Sequence, residues 1–258
     1  MRPATSALGR TATTSTDALL DPASVLETLR TGELEVVGRL VGSSNHAMVV
    51  RVLPDAFLSV WKPTRGERPL FDFPIGTLTR REVAAHLVSE TLGWGIVPPT
   101  LLREGPFGEG MVQLWIDVDP EADVIAMVND EDPRLRRVAA FDAVVNNTDR
   151  NAGHLLPIAG GHLFAVDHGV TFSVVPKLRT VLWGWEGEPF DPEELAGLGR
   201  VADALGSAED GGALARDLAE LISGREIAAT RARVDGLLAT GRFPSPSPDW
   251  PAIPWPPY

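Results

Sequence analysis

Two neighbouring segments carry most of the chain's polar chemistry: Asn146-Asn147-Thr148-Asp149-Arg150-Asn151-Ala152-Gly153-His154 and Val166-Asp167-His168-Gly169. With His162 between them, they hold three of the chain's five histidines, so this density of polar groups needs an explanation. Two carboxylates held close together repel each other unless a proton or a cation lies between them. If Asp149 and Asp167 converge in the fold, the sequence therefore predicts a Mg²⁺ or Mn²⁺ site.

The pattern between the two segments predicts that convergence. Apolar residues at helical spacing predict a helix from Pro133 to Asn146 that ends at the first segment, with Asp142 on its buried side bracing the loop by hydrogen bonds. Two β-type runs, 154–157 and 162–166, predict a hairpin that brings Asp167 beside Asp149. Each segment alone is explained as well by a solvated turn, with Gly169 at positive φ in the second.

A lysine changes the balance between these two interpretations. Among 23 basic residues the chain has only two lysines, Lys62 and Lys177, and Lys62 ends the β-type run Phe57–Trp61. From its position alone it could be a surface lysine. A lysine on a sheet and two carboxylates from a helical half are, however, the groups that hold a nucleoside triphosphate, because lysine neutralises phosphate oxygens while carboxylates carry the metal. We therefore expect a nucleotide-binding cleft between two lobes.

The remaining pattern predicts an α+β protein. A helix should start after Asp21, with Pro22 at its first position, and end at Gly32. A second helix should run from Leu78 to Leu92 and end at Gly93. Later helices are expected after Asp191. The expected strands are Glu33–Val41, Ala47–Leu53, Phe57–Trp61, Thr100–Arg103 and Met111–Ile116.

Four segments follow from this arrangement. We expect a disordered leader at 1–16, an N-terminal antiparallel sheet lobe with one main helix at 17–116 and a mainly helical C-terminal lobe at 117–243. The tail, 244–258, contains seven of the 22 prolines, interleaved with Trp250, Trp255 and Tyr258. It could bind a proline-recognising partner or pack back onto its own domain, and the second is the commoner outcome for such a tail.

Composition excludes several classes of function. The formal net charge is −12, which disfavours nucleic acid and anionic membrane surfaces as partners. The chain has no cysteine, which excludes disulfides, zinc–thiolate sites and thiol nucleophiles. No apolar run is long enough for a membrane span, and the N-terminus lacks the apolar stretch of a signal peptide. We therefore expect a cytoplasmic protein.

The order of these motifs resembles that of the atypical kinases. It comprises Val60-Trp61-Lys62, Arg81-Glu82-Val83, the segment from Phe141-Asp142 to Asn147-Thr148-Asp149-Arg150, and Val166-Asp167-His168-Gly169. The chain is most similar to the phosphatidylinositol 3- and 4-kinase-like bacterial proteins and, more distantly, to the HipA-type kinases. The resemblance covers about residues 33–190, and it implies a bilobal protein-kinase-like fold that binds ATP and Mg²⁺ or Mn²⁺.

The resemblance also implies roles for individual residues. Lys62 would contact the ATP phosphates and pair with Glu82, Asp149 would be the catalytic carboxylate, and Asp167 would bind the metal. A hinge over adenine would comprise Gln113, Leu114 and Trp115, and the loop covering the phosphates would comprise Gly42, Ser43, Ser44, Asn45 and His46. Candidates for acceptor binding are Arg150, Lys177, Arg179 and Trp183. Lys177 and Arg179 would suit an anionic acceptor, and the tryptophans there could instead anchor the segment to the helical lobe.

Three residues have other interpretations. Thr79-Arg80-Arg81-Glu82 fits a capping box, in which Glu82 serves only the start of its helix. Trp61 and Trp115 could belong to the core. The family usually has Asn five residues after the loop Asp, where this chain has His154; neutral imidazole binds Mn²⁺ better than Mg²⁺, so His154 is a second predicted metal ligand.

The sequence thus predicts an ATP- and metal-dependent phosphotransferase that acts on a hydroxyl of a protein Ser/Thr or of a small metabolite. An anionic lipid head group is disfavoured as acceptor by the acidic charge. A nucleotide-binding pseudokinase with a regulatory role is the alternative, favoured by His154. A metal-dependent phosphohydrolase ranks last, because it leaves Lys62 without a role.

Overall fold

The computed structural model describes residues 21–40, 46–54, 57–207 and 210–258. The predicted leader and the phosphate-covering residues Gly42, Ser43, Ser44 and Asn45 lie outside these ranges. Within them, an antiparallel five-stranded sheet precedes a mainly helical half, which confirms the predicted α+β, bilobal kinase-like architecture. No helix in the described part of the chain is both long and apolar enough to cross a membrane.

The first half is built on the sheet. Its strand order is β1-β2-β3-β5-β4, with all neighbouring strands antiparallel. Two helices accompany it, so the short helix predicted after Asp21 is present beside the main one. The elements are α1 (Pro22–Thr31), β1 (Glu33–Arg39), β2 (Met48–Leu53), β3 (Phe57–Pro63), α2 (Leu78–Leu92), β4 (Thr100–Gly105) and β5 (Gly108–Leu114).

The alternation of side chains along β3 decides what each face of the sheet carries. Trp61 is fully buried in a small core with Val25 and Leu29 of α1, which confirms the interpretation of Trp61 as a core residue. Because successive strand residues point to opposite faces, Lys62 is presented on the other side of the sheet, where it meets α2. The apolar core beneath Trp61 thus fixes the strand that carries Lys62.

The second half surrounds α4. Phe141 and Val144 of that helix are fully buried in the larger core, and Ala84 and Val88 of α2 belong to the same core. Helix α2 therefore packs on the helical lobe and also contacts the sheet through Glu82 and Lys62. The elements are α3 (Val124–Asn129), α4 (Arg136–Val145), β6 (Leu155–Pro157), β7 (Leu163–Ala165), α5 (Pro192–Leu205), α6 (Ala213–Ala219) and α7 (Gly224–Thr240).

The helix ends follow local chemistry. Gly93 ends α2 in the left-handed region, and Asp191 caps α5 in a capping box. The helix predicted from Pro133 begins with one 3₁₀ turn and ends at Asn146, whose φ is 52°. At this non-glycine C-cap, the Asn146 side chain donates to the carbonyl oxygens of Ser173 and Val175, which holds the turn.

The tail packs against its own domain. The carbonyl of Ala252 accepts from the backbone N–H of Thr180 and the indole N–H of Trp183, and the carbonyl of Pro257 accepts from the N–H of Ala152. Trp255 is nevertheless 87% exposed. Trp183 therefore holds the tail through its ring nitrogen, and its role in acceptor binding stays a prediction.

Candidate functional site

Lys62 is the centre of the candidate site. Its Nζ lies 2.7 Å from Oε1 of Glu82 and 3.1 Å from Oδ1 of Asp167. Three elements supply these groups: strand β3, helix α2 and the turn after β7. The other carboxylate oxygen of Glu82 accepts from the backbone N–H of His168, at 2.8 Å. Glu82 therefore ties the sheet lysine to the turn that carries Asp167.

The alternative role of Glu82 as a helix cap is wrong. Helix α2 begins at Leu78, and the side chain of the preceding Thr77 makes no capping bond. The carboxylate of Glu67 instead accepts from the backbone N–H of Thr79 in the first turn, at 2.8 Å. Glu82 is 1% exposed and its carboxylate faces Lys62, so it does not serve the orphan N–H groups of the first turn. The ion pair across the two elements is the reason why an acidic side chain can be buried here.

Electrostatics keep the Lys62–Asp167 pair charged. Burial would lower the pKa of Lys62, but the carboxylates of Asp167 and Glu82 raise it above its usual value. The pKa of Asp167 is held far below its usual range, chiefly by the Lys62 charge and against the effect of burial. At neutral pH the site thus presents the ammonium group of Lys62 beside the ionised carboxylate of Asp167, whose side chain is 46% exposed.

In the turn after β7, the residue with a left-handed backbone is not the one expected. Asp167 itself has φ 62°, whereas Gly169 has no positive φ, so the expectation that Gly169 supplies the left-handed residue is wrong. A Cβ on Gly169 would lie 3.4 Å from the Cβ of Leu78. Gly169 is therefore where the turn passes close to α2, and the left-handed backbone is at the functional residue itself.

The loop that carries Asp149 is braced from below, as predicted for Asp142. The fully buried Asp142 accepts from Nε and an Nη of Arg150 at 3.0 Å each and from the side chain of Asn147 at 2.9 Å. Arg150 also donates to the carbonyl of Val166 and contacts Nε2 of His168. Arg150 is 0% exposed, so the prediction that it binds acceptor is wrong: its guanidinium is used inside the loop.

Asp149 stands above this brace. Its N–H donates to the side chain of Asn147 at 2.9 Å, and its carboxylate forms no hydrogen bond or ion pair with a side chain of the described residues. Burial is the main cause that raises the pKa of the Asp149 carboxyl group, and the charge of Asp167 raises it further. The charges of Arg179 and Arg150 lower it. The N–H of Thr148 donates to the carbonyl of Val170 at 3.2 Å, and Arg150 donates to the carbonyl of Val166 at 2.8 Å, so the segments that carry Asp149 and Asp167 lie side by side.

His154 borders the same space. Its Nε2 lies 3.5 Å from Oδ2 of Asp167 and 3.2 Å from the side-chain nitrogen of Asn151. Burial lowers its pKa, and the charge of Asp167 only partly offsets this, so the imidazole is neutral at neutral pH. A neutral imidazole next to a carboxylate is a donor pair that a divalent metal can use.

These donors fit a metal that is shared with a ligand. No group of three His, Asp or Glu side chains within the described ranges is arranged as a complete metal site. Magnesium in phosphoryl-transfer sites usually takes one or two protein ligands and completes its shell with phosphate oxygens and water. Asp167 and His154 match that incomplete kind of site rather than a closed structural one.

The predicted hinge comprises the last two residues of β5 and Trp115, which follows it. Gln113 is buried and donates its side-chain N–H to Thr100 at 2.8 Å. The backbone N–H groups of Leu114 and Trp115 donate to Pro99 and Leu58 within or beside the sheet. In this conformation those two N–H groups are not available to adenine, so the adenine contact stays a prediction. Trp115 is partly buried and lies outside both apolar cores.

Two of the remaining acceptor candidates differ sharply. Lys177 is 4% exposed, bonds to the carboxylate of Asp72 and lies over the ring of Phe73 at 4.6 Å. The prediction that Lys177 binds acceptor is therefore wrong, because its charge is used in the packing of the loop before α2. Arg179 is partly buried and lies on the segment that borders the Asp149 loop.

One important residue was missed from the sequence. Arg81 is 1% exposed and bonds to Glu226 of α7 and to the carbonyl of Thr171. An arginine in the first turn of a helix normally predicts an exposed side chain. The only local signal was its position directly before Glu82.

No protein-family model matches the chain. Protein Rv2133c of Mycobacterium tuberculosis (strain ATCC 25618 / H37Rv) is 40% identical over 267 residues, which cover 89% of this chain and 94% of that protein. The chain belongs to the family of Protein Rv2133c. Phosphatidylinositol 4-kinase gamma 4 of Oryza sativa subsp. japonica is 26% identical over 151 residues. That match covers 49% of this chain and 26% of the rice protein.

Solved structures show the same fold. The crystal structure of the Golgi casein kinase with Mn/ADP bound matches with a TM-score of 0.55 and 14% identity, covering 85% of this chain and 75% of that one. A second structure of the Golgi casein kinase matches with a TM-score of 0.53. This chain therefore has the protein-kinase-like fold, and the finer resemblance to HipA-type kinases stays a prediction.

Proposed function

We propose that this protein is an atypical kinase that transfers the γ-phosphate of ATP to a hydroxyl group. The observation that carries the proposal is the position of Lys62 Nζ, within 3.1 Å of both Glu82 and Asp167. A partly buried lysine that is held by one buried carboxylate and lies beside a second, more exposed one is equipped to receive phosphate oxygens next to a metal.

The residues divide the work by their environments. Lys62 binds phosphate oxygens, and Glu82 keeps its ammonium group in place. Asp149 orients the acceptor hydroxyl and takes its proton while the oxygen bonds to the γ-phosphorus and the bond to ADP breaks. Its raised pKa and its carboxylate, uncommitted within the described residues, suit a general base.

Asp167 and His154 are the groups that would hold a divalent metal. When bound, such a metal neutralises charge on the phosphates and orients them. Oxygen and neutral imidazole together favour Mn²⁺ over Mg²⁺ in this donor set. The Golgi casein kinase structure with Mn/ADP bound supports nucleotide and metal binding in a fold of this kind.

The test is incubation of the purified protein with ATP and either Mg²⁺ or Mn²⁺. Nucleotide products are followed by chromatography and the intact protein by mass spectrometry. We expect metal-dependent ADP release or a phosphate adduct, both lost in Asp149→Asn with ATP binding retained. The matched control is Asp235→Asn, an exposed carboxylate on α7, which should behave as the wild type.

Two binding variants separate the roles. Lys62→Ala should weaken ATP binding, and Asp167→Asn should remove its metal dependence. Unchanged ATP affinity in both variants would overturn the proposal. ATP binding without any product, under conditions where both metals were supplied, would favour the nucleotide-binding pseudokinase, and AMP adducts would redirect the assignment to adenylyl transfer.

A further inference from the structure

Arg179 is fastened to the loop that carries Asp149. Its carbonyl accepts from the N–H of Arg150 at 3.1 Å, and its own N–H donates to the carbonyl of Asn147 at 2.9 Å. The N–H of Val181 then donates to the carbonyl of Arg150, at 3.1 Å. The backbone of Arg179 therefore runs directly beside the residues on either side of Asp149.

The guanidinium of Arg179 lacks the partners that its neighbours have. Its Nε is buried and has no hydrogen-bond partner, and no carboxylate of the described residues forms an ion pair with it. By contrast, the buried guanidinium groups of Arg81 and Arg150 are paired with Glu226 and Asp142. A buried guanidinium N–H without an acceptor is unfavourable in the free protein, and an anionic ligand would supply that acceptor.

The surroundings favour an anion as that ligand. The chain has a net charge of −12, yet this unpaired positive charge lies close enough to Asp149 to influence its ionisation. The planar fork of arginine matches two oxygens of a phosphate or a carboxylate. Arg150 and Lys177 are held by carboxylates, and Lys62 is assigned to the nucleotide phosphates. Among the described residues of this region, Arg179 is therefore the basic group left for an anion carried by the acceptor.

We propose that Arg179 binds an anionic group, a phosphate or a carboxylate, carried by the acceptor, and thereby holds the acceptor hydroxyl at Asp149. This inference rests on the proposed phosphotransferase function. The acceptor is then a hydroxyl compound with a nearby anion. Such chemistry is offered by a phosphorylated metabolite or by a serine peptide with acidic neighbours.

The test measures binding by calorimetry with ADP and Mn²⁺ present. The probes are inorganic phosphate, glycerol 3-phosphate against glycerol, and a serine peptide flanked by glutamates against one flanked by alanines. We expect the anionic probes to bind the wild type, and to bind Arg179→Gln at least tenfold more weakly. Arg179→Lys should recover part of the lost affinity. The control is Arg216→Gln, an exposed arginine on α6, which should bind as the wild type. The better ligand of the two anionic classes identifies the source of the anion.

Two results would overturn the inference. One is that the anionic probes fail to bind the wild type more tightly than Arg179→Gln. The other is a loss of ATP affinity in Arg179→Gln as large as the loss of anion affinity, because Arg179 would then serve the nucleotide. Absence of ADP release from the wild type, with anion binding still dependent on Arg179, would count against the phosphotransferase function and not against the anion site.

Discussion

Arg81 Nη2 lies 2.5 Å from Oε1 of Glu226, a contact that joins α2 to α7 across the interior. A second nitrogen of Arg81 donates to the carbonyl of Thr171, and the guanidinium lies over the ring of Phe73 at 4.8 Å. The residue after Arg81 is Glu82, the partner of Lys62. Arg81 therefore fixes helix α2 to the helical lobe, and the next residue, Glu82, forms the ion pair with Lys62.

The first prediction concerns this contact. Arg81→Met should lower the free energy of unfolding by about 3 kcal/mol, because it leaves Glu226 buried without its cation. ATP binding at a temperature where the variant is folded should also weaken, since α2 no longer fixes Glu82. Urea denaturation and calorimetric titration with ATP measure the two effects.

A second variant, Glu226→Gln, removes the charge of Glu226 but keeps a side-chain oxygen that can cap α7. Glu226 also accepts hydrogen bonds from Ser223 at the start of α7, and glutamine can keep that cap. The double variant Arg81→Met/Glu226→Gln should be more stable than Arg81→Met, because no uncompensated charge remains. If the double variant were the less stable of the two, the ion pair would not be the source of the effect.

The brace under Asp149 gives a second prediction. Arg150→Met should destabilise the protein by about 3–5 kcal/mol, because the fully buried Asp142 loses its counter-ion. Arg137→Gln is the comparison: its partner Glu193 is 77% exposed at the side chain, and loss of such a surface pair costs less than about 1 kcal/mol. Similar denaturation midpoints for the two variants would refute the distinction.

His154 gives a third prediction, on metal preference. His154→Asn replaces the imidazole by an amide whose oxygen suits Mg²⁺ better. The ratio of ADP release with Mn²⁺ to that with Mg²⁺ should fall several-fold relative to the wild type. The two rates are measured at saturating ATP for each metal. An unchanged ratio would mean that His154 does not contact the metal.

His86 gives a fourth prediction, on stability and pH. Burial lowers its pKa in the folded protein to about 4, whereas the unfolded chain has the ordinary value of about 6.5. The unfolded state therefore binds the proton first as the pH falls below 6.5, and stability decreases until the pH passes about 4. Between pH 7.5 and 5 the loss from His86 should be about 2 kcal/mol.

The matched variant for that measurement is His86→Leu, which cannot take the proton. Urea denaturation at the two pH values should give a smaller loss for His86→Leu than for the wild type. His154 and His168 also have lowered pKa values and act in the same direction, so the comparison of the two proteins isolates His86. Identical losses would show that His86 is protonated at little cost when folded.

The tail gives a fifth prediction. Removal of residues 249–258 eliminates the hydrogen bonds to Ala152, Thr180 and Trp183, and it should cost about 2–4 kcal/mol at roughly 1 kcal/mol per bond. Trp255→Ala is the control, because that ring is 87% exposed. Thermal melting measures both. Unchanged melting of the truncated protein would favour the alternative in which the tail serves a partner.

Much of the local structure was predictable because its causes are local. The apolar spacing and Gly93 gave the bounds of α2 as observed, and Asp21 with Pro22 predicted α1. The buried face of α4 predicted that Asp142 would brace the loop, which the bonds to Arg150 confirm. Helix periodicity, capping and strand alternation depend on neighbours within a few residues, so they are readable from the chain.

By itself, the sequence determined which residue types are available and where the strands and helices place them: Lys62 at the end of a strand, Glu82 on a helix, Asp149 and Asp167 around a hairpin. Tertiary structure alone decided which basic groups remain available. Arg150 and Lys177 are bound to Asp142 and Asp72, eight and 105 residues away, whereas Arg179 is not paired in the described chain. A charged side chain is free or used according to the groups that packing brings within about 4 Å, and distances of that kind across the chain are set by the folded core and not by local sequence.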